Sequence, residues 1–334
     1  MRHQAIRLLL VPFILIAVLG SVHAQTEPRD EEQTPLTSVA LQPYGPFYLV
    51  DVKINDQGPF KFVIDSGTKS TILGTEVVRE LGLSEEASGS RVGLDSLTLG
   101  STRFAGVEAE VRDLHEIWGD GSPSGVFGFD LFGDRLVTLD LPLQQLLVFD
   151  GELPAPDGRE ILSYSLRSRV DDLGRRQVPT IEIEVADRTL RVELSPLGFG
   201  TLALPKNQME QFPLASEAGV IGRTENQDGE VFPIFGASLE GSMTVGSHRF
   251  DNPSVFFSES FDYPSLGSQM LEPFVLTLDL GHQRIRIERP TDRANPLVTN
   301  AAALVPQSGE GHDIRSAFNE NVDRVRLMVL LSPT

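Results

Sequence analysis

"GFDLFGDRLVTLDL", residues 128–141, returns as "GSQMLEPFVLTLDL", residues 267–280, without a gap. Two more segments recur in the same order. "LTLGSTRF" (97–104) matches "MTVGSHRF" (243–250), and "VDVKIND" (50–56) matches "IEIEVAD" (181–187). The three offsets, 139, 146 and 131 residues, are nearly equal. Self-similarity at a fixed spacing marks a duplicated unit, here two copies of a module of about 120 residues.

The copies read as strands. "VDVKI" and "IEIEV" alternate apolar and charged residues, so one face is buried and the other is wet. "LVTLDL" and "VLTLDL" read the same way. Thirty Gly and 22 Pro among short apolar runs suit turns between strands better than long helices. One helix is predicted at 75–81, with Thr75 as N-cap and Gly82 at its C-terminal end, and "FDLFGD" as a short helical turn. The chain divides into a leader (1–24), a loose acidic segment (25–38), a first lobe (39–150), a Pro/Gly-rich linker (151–170), a second lobe (171–290) and a tail (291–334) that matches neither copy.

The leader has the pattern of a secretory signal. Arg2 and Arg7 precede an apolar stretch from Leu8 to Gly20, and Val22-His23-Ala24 forms a small-x-small cleavage site. Those 13 residues fall short of the roughly 20 that span a bilayer. An exported, periplasmic or secreted protein without stable membrane insertion is therefore expected. The net charge of −19 becomes −21 once the two leader arginines are gone, which disfavours nucleic acid and anionic membranes. With no cysteine, disulfides, thiol nucleophiles and thiolate metal sites are excluded.

One turn carries a candidate reactive group. In "KFVIDSGTKSTIL" (61–73), Asp65-Ser66-Gly67-Thr68 separates two apolar runs. Gly67 allows a sharp turn and brings backbone N–H groups to the carboxylate, which hold its charged form. Val126-Phe127-Gly128 is placed to pack beside it. Together with "VVRELGL" and "SGVFGFDLFGDRLVTLDL", this constellation resembles the retropepsin-like aspartic proteases, including exported bacterial members with two fused lobes.

The resemblance implies an all-β fold of two homologous barrel-like lobes with short helices, and a cleft between them that takes a peptide or protein substrate without a cofactor or metal. Two carboxylates, one per lobe, share a proton there. Asp65 would activate water, Ser66 brace the turn through its hydroxyl, and Gly67 shape it. Ser88, Gly89 and Ser90, in the Gly/Ser-rich "SEEASGSRVG" (84–93), would form the flap over substrate, with Val126, Phe127 and Gly128 beside it.

The second copy lacks the matching acid. Aligning "IDSGTKSTIL" with "LSPLGFGTLA" sets Ser195 opposite Asp65, Pro196 opposite Ser66 and Leu197 opposite Gly67. A serine cannot replace a carboxylic acid. Three readings stay open. The chain is an aspartic-type peptidase whose second carboxylate comes from Glu193, two residues away on the same strand face, or from Asp65 of a second copy in a homodimer. Alternatively, it is an impaired module that binds peptides without cutting them. The third reading makes the turn structural. Peptidase is the leading assignment.

Other constellations carry less. The histidines show no metal-ligand spacing, and His248 reads as a surface strand residue. No G-x-S-x-G elbow occurs, so Ser195 lacks a nucleophile's setting. Trp118 fits a substrate pocket or a loop cluster equally. Asp140 and Asp279, which recur in "TLDL", suit strand-end turns.

Overall fold

The computed structural model describes residues 34–44, 47–68, 70–83, 89–171, 174–196, 198–225 and 230–290. The leader, the acidic segment up to residue 33 and the tail from 291 lie outside them.

The first copy runs β1 (Thr37–Ala40), β2 (Gln42–Tyr44), β3 (Phe47–Ile54), β4 (Gln57–Ile64), β5 (Ile72–Gly74), α1 (Thr75–Glu80), β6 (Arg91–Leu99), β7 (Thr102–Arg112), α2 (Leu114–Trp118), β8 (Gly125–Phe127), a 3-10 turn (Phe129–Phe132), β9 (Leu136–Asp140) and β10 (Gln145–Phe149). The second runs β11 (Ile161–Ser163), β12 (Ser165–Asp171), β13 (Gly174–Val185), β14 (Arg188–Leu194), β15 (Leu202–Pro205), a 3-10 turn (Lys206–Gln211), β16 (Gly219–Glu225) and β17 (Val231–Ser238). It continues through β18 (Ser242–Val245), β19 (His248–Asp251), β20 (Ser254–Ser258), β21 (Ser265–Leu266), α3 (Ser268–Leu271), β22 (Val275–Asp279) and β23 (Arg284–Glu288). The fold is all-β and two-lobed.

The alternation read from sequence has a physical outcome. Val50, Val52 and Ile54 on β3, and Ile181, Ile183 and Val185 on β13, all point into a core, while Asp51, Lys53, Glu182 and Glu184 face out or lie at the edge. Each strand turns into its partner through two left-handed residues. These are Asn55 and Asp56 (φ 47° and 64°) in the first lobe and Ala186 and Asp187 (φ 47° and 64°) in the second. Positive φ at both central positions matches the twist of a two-residue hairpin.

The lobes share one topology. In the first, β4 lies parallel to β8, and β5 runs antiparallel to β8 and parallel to β7. In the second, β14 lies parallel to β21, and β15 runs antiparallel to β21 and parallel to β20. Each crossing leaves one connecting tip at the inner end of its lobe, entered at Asp65 in the first lobe and at Ser195 in the second.

A six-stranded sheet, in the order β1-β10-β9-β22-β23-β11, joins the lobes. At its centre β9 and β22 are antiparallel, and Thr138 faces Thr277 with their hydroxyls 2.9 Å apart. These residues are 139 apart in sequence, the offset of the longest repeat, so the approximate two-fold relating the lobes passes between them. The repeated aspartates close equivalent hairpins here. Asp140 accepts from the Leu143 N–H and Asp279 from the His282 N–H.

The structure refines several expectations. α1 has Gly74, not Thr75, as its N-cap, and no side chain caps it; Gly82 follows its C-terminal end in the left-handed region. Thr75 is the first helical residue because Gly74 still belongs to β5 and sets the entry. The stretch read as linker contains β11 and most of β12. His248 is half-buried, packed on the Phe274 ring at 4.8 Å with Nε2 3.0 Å from the Ile287 carbonyl. Strand β19 lies against the core there, so the ring is partly covered while the residue stays on a surface strand. Trp118 stacks edge-on to Phe47 at 5.7 Å within a cluster that includes Val63, Ile72, Leu114 and Val126.

Candidate active site

β4 delivers Ile64 into a parallel pairing with Phe127, and Asp65 is the next residue. Its carboxylate receives two hydrogen bonds from its own turn. The Gly67 N–H donates to Oδ1 at 2.9 Å and the Thr68 hydroxyl to Oδ2 at 2.7 Å. The Thr68 N–H closes the turn on the Asp65 carbonyl at 3.1 Å. The bracing hydroxyl is thus that of buried Thr68, three residues on and in reach of Oδ2; Ser66 lines the adjoining cavity instead.

The supporting layer is apolar and rigid. Val126 and Phe127 are fully buried beneath the turn, which leaves them no surface for a substrate. The Gly128 N–H donates to the Thr71 hydroxyl at 3.3 Å, and the Phe129 N–H to the Thr68 carbonyl at 3.1 Å. Val126, Phe127 and Gly128 position the turn and do not themselves line the cavity. Gly89 and Ser90 lead into β6, tied by backbone bonds to Val111, and are likewise not among its lining; Ser88 lies outside the described residues.

The second tip keeps the frame and changes its contents. Leu194 pairs with Leu266 as Ile64 pairs with Phe127. The Ser195 N–H donates to the Leu266 carbonyl at 3.0 Å, and the Gly198 N–H to the Ser195 carbonyl at 2.7 Å. Residue 197 lies outside the described residues.

Both tips line one cavity of about 220 Å³. Asp65, Ser66 and Gly67 enter it from the first lobe, and Glu193, Ser195, Pro196 and Gly198 from the second. Phe47, Tyr48, Ile64, Phe129, Leu139, Val178 and Leu194 supply apolar wall, with Arg169 and Arg176 among them. Burial first, and the Glu272 charge second, raise the Tyr48 hydroxyl above its ordinary value, so it is a neutral donor at the cavity edge.

Each carboxylate in the cavity is held by an arginine of the β12–β13 hairpin. Arg176 Nη2 lies 2.6 Å from Asp65 Oδ1 and 2.5 Å from Oδ2, with only 16% of its side chain and 10% of Asp65's exposed. Arg167 Nη1 lies 2.5 Å from Glu193 Oε1, and its Nη2 3.2 Å from Asp262; the guanidinium stacks 4.3 Å over the Tyr263 ring. Burial alone would lower Arg167, but hydrogen bonds and charge from Glu193 and Asp262 outweigh it and raise it. Sequence reasoning brought Asp65, Ser66, Gly67, Ser195 and Glu193 to this cavity and missed Thr68, Arg167 and Arg176.

Residues 50–131 match the aspartyl protease family model, a span that runs from β3 into the 3-10 turn after β8 and includes the Asp65 turn. The match supports the family, and with it aspartic-type peptidase activity and peptide or protein substrates as the general class. No curated protein matches the chain.

Proposed function

We propose that the chain is an aspartic-type peptidase that takes an extended peptide into the cleft between its lobes, with Asp65 as base and Glu193 as the second carboxylate. The observation that carries this reading is the shared cavity, into which each lobe brings one carboxylate. The two then act as a pair that shares one proton. With Arg176 and Arg167 released from the two carboxylates, Asp65 takes a proton from a water whose oxygen bonds to the scissile carbonyl carbon, and Glu193, then protonated, gives its proton to the carbonyl oxygen. Collapse returns that proton to Glu193, breaks the C–N bond and releases the amine with the proton taken by Asp65.

Ser195 favours a second reading. It occupies the position equivalent to Asp65 and has no carboxyl to offer, as in a module that binds peptides and leaves them intact. The homodimer route to a second acid has less support, since the β9 edge of the first lobe is already taken by β22. The leader pattern supports an activity exerted outside the cytoplasm.

Casein cleavage across the acid range decides between the readings. It should be run on wild type and Arg176→Gln, each with and without Asp65→Ala or Glu193→Gln, and with a pepstatin-like inhibitor. Cleavage that both Asp65→Ala and Glu193→Gln abolish is the expected result. Equal cleavage by parent and Asp65→Ala overturns the proposal. Inhibitor binding with no cleavage by any variant establishes the second reading.

A further inference from the structure

We infer that the β12–β13 hairpin is an internal plug of the cleft, which an extended peptide must displace before it reaches Asp65. The inference rests on the reading of the cleft as a peptide site, and four observations on different atoms support it.

Three consecutive hairpin residues sit on the Asp65 turn. Arg176 bonds both carboxylate oxygens, the Gln177 N–H donates to the Gly67 carbonyl at 2.8 Å, and Val178 lies against Gly67. An ionised carboxylate offers about four acceptor sites. Gly67, Thr68 and the double contact of Arg176 fill them, so a water or a substrate hydroxyl can hydrogen-bond there only by replacing the guanidinium.

Gly67 is what lets the hairpin approach. Its φ is not positive, so the turn itself does not require glycine. A Cβ at this position would lie 2.8 Å from Arg176 Nη2 and 3.2 Å from Val178 Cγ2. Glycine here makes room for the hairpin.

The hairpin is also built as a separate arm. From Gly174 to Pro179, β13 pairs with β12 alone; pairing with β14 begins at Thr180. Among the described residues, β12 pairs only with β13 and lies off the main path of its sheet. The arm can therefore swing about Thr180 without breaking the ladder of the lobe. Its counterpart in the first lobe, β2–β3, has three cross-strand pairs, against seven in β12–β13. The added length is the part that reaches across to the other lobe. At its other foot, Arg167 holds Glu193, so one element covers both carboxylates.

The test uses a pepstatin-like statine peptide and the full chain. Calorimetric affinities are compared for wild type, Arg176→Lys and Arg176→Gln, with thermal melting to confirm folding. The expected order is Arg176→Gln at least tenfold tighter than wild type, with Arg176→Lys between them. In wild type, amide exchange at Gln177 should speed up when the peptide binds, because that N–H loses the Gly67 carbonyl. Equal or weaker binding by Arg176→Gln, no binding by any variant, or a Gln177 amide that slows or stays unchanged overturns the plug. The exchange measurement stands even where the variant fails to fold. Tighter binding with no casein cleavage keeps the plug and sinks the peptidase reading. Cleavage dependent on Asp65 and unaffected by Arg176→Gln does the reverse.

Discussion

At the first tip, a carboxylate collects hydrogen bonds from Gly67 and Thr68 and an ion pair from the opposite lobe. At the second, Ser195 keeps the backbone bonds of the same frame and carries no charge. The strands that lead in and out are paired alike in both lobes, so the topology tolerated a complete change of the turn it presents. The framework is held by strand pairing and burial, which a side chain at the tip hardly touches. What each tip can contribute to the chemistry depends on that side chain.

The largest test of this comparison is to make the tips alike. In an Arg176→Gln and Glu193→Gln background, Ser195→Asp should raise casein cleavage by roughly 100-fold, in the range of a well-placed general acid. No gain would mean that the second tip no longer matches the first in position.

A second test uses the corner residues Leu41 and Tyr164, whose N–H groups bond the Gln144 and Gln283 carbonyls respectively. Burial, then the charge of Asp279, pushes the Tyr164 hydroxyl up from 10.0 to about 12. A raised pKa means that the folded state holds its proton more tightly than the unfolded chain. The contribution to stability is whole below pH 10 and lost as pH rises from about 10 to about 12, on the order of 2–3 kcal/mol. Tyr164→Phe should flatten that limb of an alkaline denaturation series, while Leu41→Ala should lower stability without changing its slope.

At the lobe junction, Thr138→Val removes the partner of the buried Thr277 hydroxyl and should cost about 1–3 kcal/mol by denaturant unfolding. The double variant with Thr277→Val should come back toward wild type, because neither hydroxyl is then left unsatisfied. The smallest effect is expected at the matched hairpin turns. Ala186 holds φ 47° where the first lobe has Asn55. Ala186→Asn should stabilise by up to about 1 kcal/mol, and Asn55→Ala should do the opposite by at least as much, since Asn55 Oδ1 also accepts from the Ser96 N–H.

Much of this was legible in the sequence because duplication repeats its own evidence. The match of "LVTLDL" with "VLTLDL" marked both as strands of one repeated unit, while their pairing at the centre and the axis between Thr138 and Thr277 came with the structure. Alternation in "VDVKI" and "IEIEV" gave the buried faces of β3 and β13. The turn at Asp65 was visible because a carboxylate between two apolar runs needs donors close by. Arg167 and Arg176 were not visible. Their role depends on how far a hairpin extends and what it meets in the other lobe, and "RSRV" and "GRRQ" on a strand read as solvated charges. The reason for Gly67 was also hidden, since a glycine that gives room to another segment looks the same in sequence as one that bends the chain. Thr68 was within reach of the argument, because a hydroxyl three residues after an aspartate commonly returns to it.

The most direct test is a double-mutant cycle on unfolding free energy with Asp65→Asn, Arg176→Gln and the pair together. An ion pair this buried, made across the lobes, should give a coupling of about 1–3 kcal/mol. Additive effects, with coupling inside experimental error of zero, would mean that the hairpin does not hold the carboxylate, and the contrast between the tips drawn here would be contradicted.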